Sequence, residues 1–137
     1  MVVDTMVFAY ALLGVEEFGE EAMAVLETLD DIIVPDSMRA ELTNVLWQWV
    51  QHGGVERATA HAILFDADAL ITGTIACQRL WARALDLSLG HNHPAYDTLF
   101  VAAAELSGTR LISFDDRLKK RFPKQVLNAR ELMKGWD

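Results

Sequence analysis

The stretch Arg110-Leu111-Ile112-Ser113-Phe114-Asp115-Asp116-Arg117 reads as a short strand, Arg110 to Ser113, that runs straight into acids. Consecutive apolar residues, rather than alternating ones, mark a strand buried on both faces. Three other runs share this pattern. Met1-Val2-Val3 ends at Asp4, Ile32-Ile33-Val34 is stopped by Pro35, and Gln125 to Leu127 forms the last. The segments between them have helical spacing. Strands of this kind, separated by helices, predict an α/β fold with a mostly parallel sheet covered on both faces. In such sheets ligands bind beyond the carboxyl ends of the strands. Asp4 and Asp115 fall at two such ends.

Working outward, Val7, Tyr10 and Ala11 mark a first helix that stops near Gly14. Glu16 to Leu29 reads as a second, with Ala22, Val25, Leu26 and Leu29 inward. Asp36 or Ser37 caps a third, whose stripe is Met38, Leu42, Val45, Leu46 and Trp49 and which ends at Gly53-Gly54. Val55 to Ile71 is a fourth. Cys77 to Leu89 is helical through Leu80, Trp81, Ala84 and Leu85. Pro94 opens a helix to Leu106, and Gly108 suits its C-terminal cap. Arg117 to Phe122 and Ala129 to Lys134 are short helices.

The 137 residues, 52% hydrophobic and 23% charged, predict one domain over residues 1–137 and exclude a disordered or collagen-like chain. The longest apolar run, Met6 to Val15, is half of the roughly 20 residues a membrane span needs. Asp4 stands where a secretion signal would be basic. The lone Cys77 cannot make an internal disulfide, excludes a multi-cysteine zinc site and fits a reducing cytoplasm, with a small buried hydrophobe as its simplest role. The net charge of −8 argues against bulk nucleic-acid affinity. That charge is uneven. Residues 1–109 carry 4 Lys/Arg against 16 Asp/Glu, and residues 110–137 carry 8 against 4. Arg117, Lys119, Lys120, Arg121 and Lys124 crowd together, either as a solvated helix face or as a surface that steers an anionic partner.

Two further acids stand where helical periodicity expects apolar groups. Glu41 lies beside the inward stripe between Met38 and Val45. Asp97 sits in the first turn of its helix among Tyr96, Leu99 and Phe100. Each acid alone has a plain explanation. Asp4 and Asp115 or Asp116 can cap the helices that follow, and Asp97 complements a helix dipole. Together they describe a cleft of like charges. A pair 4 Å apart repels by about 4 kcal/mol at an effective dielectric of 20. Such a cluster requires cations or raised pKa values. Oxygen ligands without Cys or His suit Mg²⁺ or Mn²⁺, and a pair of such ions clamps a phosphodiester and activates water.

The same residues carry a family likeness. Val2-Val3-Asp4-Thr5, Pro35 with Glu41-Leu42-Thr43-Asn44-Val45-Leu46, Tyr96-Asp97-Thr98-Leu99 into Ala102-Ala103-Ala104, and Leu111 through Leu118 stand in order over nearly the whole chain. The chain resembles PIN domains, most of all the VapC-type toxin ribonucleases. The resemblance implies a three-layer α/β/α sandwich, a homodimer, a small antitoxin partner, and RNA hydrolysis by a metal-activated water with Mg²⁺ or Mn²⁺. By motif matching, Asp4, Glu41, Asp97 and Asp115 take the catalytic acidic positions, with Asp4, Asp97 and Asp115 as metal ligands. Thr5 and Ser113 match hydroxyl positions beside the site. Asp116 competes with Asp115, which is preferred because it follows Ser113 by two. Asn44, one turn from Glu41, reads first as a simple polar helix residue, with a polar contact to the site as the alternative, and Arg117, Lys119 and Lys120 become candidate contacts for RNA. The family commonly has Asn where this chain has Met6, which favours the competing reading of a non-catalytic RNA- or protein-binding module.

Other chemistries lack their motifs. There is no GxGxxG, Walker loop or GxSxG. A receiver-type phosphoacceptor needs an acidic pair after the first strand and a lysine at a late strand end, and neither is present. His52, His61, His91 and His93 have no metal-ligand spacing. His91 and His93 precede the Asp97 helix and read first as ordinary loop residues, with an approach to the cleft rim as the alternative. Trp47 and Trp81 are candidates for an apolar partner surface or for core packing. Ala9, Leu12 and Leu13 widen the apolar character of the first helix, which predicts a second covering chain.

Overall fold

The structure is a computed structural model that describes residues 1–134; the expected span of 1–137 extends three residues outside them. Its strands are β1 (Val2–Val3), β2 (Ile33–Pro35), β3 (Gly73–Ile75), β4 (Leu111–Ser113) and β5 (Val126–Asn128). They form one sheet in the order β3-β2-β1-β4-β5, with every pairing parallel. The helices are α1 (Thr5–Leu13), α2 (Gly19–Thr28), α3 (Ser37–His52), α4 (Arg57–Leu70), α5 (Trp81–His91), α6 (Ala95–Ser107), α7 (Asp116–Arg121) and α8 (Ala129–Lys134). The result is the three-layer α/β/α arrangement expected from the sequence.

The strand order locates the cleft. From β1 the chain moves outward through β2 to β3, and from β4 it moves the opposite way to β5. Parallel crossovers are right-handed, so the two directions send their helices to opposite faces of the sheet. Between β1 and β4 the connections diverge, and a crevice opens at the strands' carboxyl ends. Register sets what lines it. Val2 pairs with Leu111 and Val3 with Ile112, so Asp4 emerges beside Ser113. Val2, Val3, Leu111 and Ile112 are wholly buried, as strands covered on both faces must be.

Several expectations change. Strand β3 has no counterpart among the expected strands, because Gly73 disfavours strands and this short edge strand keeps Thr74 exposed. Helix α2 starts at Gly19 rather than Glu16. A side chain at Gly19 would meet the Gly14 carbonyl carbon at 3.1 Å, and Gly14 itself turns the chain with φ of 67°. Helix α1 finds most of its cover within the chain itself. It packs against α2, α3 and α4, which leaves Ala9 buried and Leu12 and Leu13 part-buried. An apolar stripe on α5 is left uncovered. After a 3-10 turn at Cys77–Arg79, Leu80, Ala84 and Leu87 point inward, while Trp81, Leu85 and Leu89 are 60%, 56% and 75% exposed. Trp47 on α3 is exposed as well, and Cys77 is part-buried rather than buried.

Candidate active site

Asp4 leaves β1 in an extended conformation and caps α1, its Oδ1 accepting from the Thr5 N–H at 2.8 Å. Its Oδ2 accepts from the Ser113 hydroxyl at 2.7 Å. Ser113 also accepts the Asp115 N–H at 3.0 Å, so one buried hydroxyl joins the ends of β1 and β4. Asp115 caps α7 through Oδ1, which accepts from the N–H groups of Arg117 and Leu118. The capping explanation for Asp4 and Asp115 therefore holds, and it places both at the cleft.

Glu41 comes from α3 and Asp97 from the first turn of α6. The Thr5 hydroxyl donates to Glu41 Oε2 at 2.7 Å. All four acids line one cleft of about 710 Å³, together with Thr5, Asn44 and Ser113. Asp116 does not line it; its Oδ1 accepts from the Asn128 side chain. Arg117, Lys119 and Lys120 lie outside the lining too. Lys119 is held within the fold by the Pro123 and Val126 carbonyls, while Arg117 and Lys120 remain exposed.

The electrostatics are those of buried acids with like charges nearby. Burial pushes the Asp4 carboxyl from 3.8 up to about 7; the charges of Asp97 and Glu41 add to the rise, and the Ser113 and Thr5 hydrogen bonds oppose it. Burial raises Glu41, the Thr5 hydroxyl opposes that, and Asp97 adds to it. Burial also raises Tyr10, helped by the charges of Asp4, Glu17 and Asp115. Thr5→Val removes the Glu41 donor while keeping its shape. Hydrogen bonds to charged groups contribute about 1.5–3 kcal/mol. A loss of that order is expected in urea unfolding at pH 8.

Some features of the site were not foreseen. Tyr10, Phe18 and Phe114 build an aromatic wall of the cleft, with centroids 5.0–5.5 Å apart. Phe114 stands between two site residues, and Tyr10 lies one helical turn after Met6, so spacing alone could have pointed to them. His93 donates to Asp97 Oδ2 at 2.7 Å, and the i, i+4 spacing was visible in the sequence. Tyr96, also in the lining, is 74% exposed.

All-oxygen donors of this charge suit a hard divalent cation. Among the described residues, no three His, Cys, Asp or Glu are yet gathered closely enough to hold one. Asp4, Asp97 and Asp115 are turned toward Ser113, His93 and the α7 amides instead. Each pairing engages a carboxylate without using all its lone pairs, so the chemistry of the donor set fits a cation.

Known proteins with this architecture are readily found. Ribonuclease VapC3 of Pyrobaculum aerophilum is 29% identical over 130 residues, covering 92% of this chain and 97% of that protein. The crystal structure of PAE2754 from the same organism matches 98% of this chain and 86% of its own, with a TM-score of 0.75 and 18% identity. A toxin–antitoxin complex from Klebsiella pneumoniae matches 93% of this chain and 96% of its own, with a TM-score of 0.66 and 19% identity. At such identities the structural matches establish the fold. The family model for the PIN domain matches residues 1–122, and the chain belongs to that family.

Proposed function

We propose that this protein is a metal-dependent endoribonuclease and the toxin of a toxin–antitoxin pair. The observation that carries the reading is the meeting of Asp4, Glu41, Asp97 and Asp115 in one cleft at the point where the strand connections diverge. The VapC3 ribonuclease and the Klebsiella toxin–antitoxin complex support it by likeness.

Asp4, Asp97 and Asp115 would hold Mg²⁺ or Mn²⁺. When bound, such ions neutralise phosphate charge and lower the pKa of water. The chain's own residues supply the rest. Ser113 orients Asp4, and the α7 amides orient Asp115. Glu41, held at Oε2 by Thr5, has Oε1 to accept the proton of a water attacking phosphorus. Burial raises its pKa, which makes it a stronger base than an ordinary carboxylate. Arg117 and Lys120 remain exposed on the basic C-terminal part as candidate RNA contacts.

Purified protein incubated with RNA should cleave it with Mn²⁺ and stop with EDTA. Cleavage that persists without divalent ions would refute the metal step. RNA binding without cleavage at any metal concentration would favour the non-catalytic module, which Met6 in the cleft and the ungathered carboxylates support. A small antitoxin gene beside this one is expected in the genome.

The α5 face supports a homodimer. Trp81, Leu85 and Leu89 recur at four-residue spacing on one exposed side, as a helix seam does. Leu89→Glu is expected to shift light scattering from dimer to monomer at tens of micromolar. A parent that scatters as a monomer would remove the proposal.

A further inference from the structure

We infer that His93 is a positioning residue that sets the Asp97 carboxylate for cation binding, an inference that rests on the metal-dependent reading above. Its Nε2 lies 2.7 Å from Asp97 Oδ2. An ionised carboxylate only accepts, so Nε2 carries the proton and donates it. The imidazole is 7% exposed, whereas the Asp97 side chain is 38% exposed. The rigid partner is thus the histidine, and the carboxylate facing the cleft is the group it restrains.

The segment carrying His93 is itself clamped. Asn92, in a left-handed conformation with φ of 50°, ends α5 and turns the chain toward α6. The Arg121 guanidinium donates to the carbonyls of His91 and Asn92. The Phe122 ring packs at 4.5 Å from His91 and 5.9 Å, edge to face, from His93. Arg121 closes α7, the same short helix whose N-terminus is capped by Asp115. One element therefore places Asp115 directly and Asp97 through His93. With Oδ2 held, Oδ1 is the oxygen presented for a cation. Hydrogen-bond partners that orient ligating carboxylates typically affect metal affinity 10- to 100-fold.

The test uses the full chain, freed of metal, with Mn²⁺ as the probe in calorimetry. His93→Phe keeps a ring against Phe122 but has no donor, and His93→Gln keeps an N–H at a similar reach. The dissociation constant for Mn²⁺ is expected to rise by about 10- to 100-fold in His93→Phe and to return to within about threefold of the parent in His93→Gln. The Mn²⁺ concentration giving half-maximal cleavage should shift with it, and the rate at saturating Mn²⁺ should recover. Where His93→Phe does not fold, judged by circular dichroism, His93→Ala takes its place. Equal Mn²⁺ affinity in parent and His93→Phe would overturn the role of His93 and leave the metal site standing. Equal weakening in His93→Gln would show that the donor is not what matters. No Mn²⁺ binding by the parent would overturn both this role and the metal-dependent reading.

Discussion

Asp97→Asn is expected to lower Mn²⁺-dependent RNA cleavage by about three orders of magnitude, and Asp4→Asn by as much. Charge stabilisation by a bound cation contributes several kcal/mol in the transition state, and about 4 kcal/mol corresponds to a thousandfold in rate. Each substitution removes an anionic oxygen and keeps the side chain's size. Asn at position 4 still accepts from the Thr5 N–H, so the α1 cap survives. At position 97 the helix start is retained, because Pro94 and the backbone form it. Initial rates on a labelled RNA, with circular dichroism as the control for folding, measure the effect. Either variant cutting at the parent rate would remove that acid from the catalytic set.

The second large effect is on stability. Asp4 in the folded protein holds its proton up to about pH 7, whereas in the unfolded chain it releases it near 3.8. Across that window the native state binds more protons than the unfolded one. Asp4 therefore makes stability fall as pH rises from about 4 to 7, and the deficit persists above 7. Glu41, raised for the same reason, acts in the same direction. The full shift corresponds to at most about 4 kcal/mol. Asp4→Asn is expected to recover much of it at pH 8 in metal-free protein and little at pH 4. Its stability profile should be flatter than the parent's. Cation binding offsets the same penalty, which burial causes first and the charges of Asp97 and Glu41 add to. At 100 times its dissociation constant Mn²⁺ adds about 2.7 kcal/mol, or roughly 10 °C in melting temperature for a chain of this size. Asp97→Asn should start higher without metal and respond less to it. Melting curves at pH 4 and 8, with and without Mn²⁺, measure all three effects. An equal Mn²⁺ response in Asp97→Asn and parent would show that the carboxylates share no site.

Much of this was legible in the sequence because burial on both faces writes strands as plain apolar runs. Val2-Val3 and Leu111-Ile112 could be placed beforehand, and with them the acids at their carboxyl ends. Asp115 over Asp116 followed from its spacing to Ser113, and the structure gives a geometric reason: Ser113 accepts the Asp115 N–H, while Asp116 turns to Asn128. The edge strand β3 was hidden because an edge needs no continuous apolar run. Trp81 stayed open between a partner surface and the core because it and Leu85 share helical spacing with Leu80, Ala84 and Leu87, and periodicity alone does not say which of two stripes turns inward. The aromatic wall formed by Tyr10, Phe18 and Phe114 depends on how α1, the α2 start and the β4 exit meet, which is a tertiary fact. His93 was set aside as a loop residue because its meaning lies in the clamp that Arg121 and Phe122 supply from thirty residues away.

The central claim is that these carboxylates gather around divalent cations. Crystals grown with millimolar Mn²⁺ and measured at the manganese absorption edge test it directly. The expected map has an anomalous peak in the cleft, within coordinating distance of Asp4 and Asp97 and beside Asp115. It should be lost in Asp97→Asn crystals grown the same way. A cleft without any anomalous peak at saturating Mn²⁺, or a peak that persists unchanged in Asp97→Asn, would contradict it.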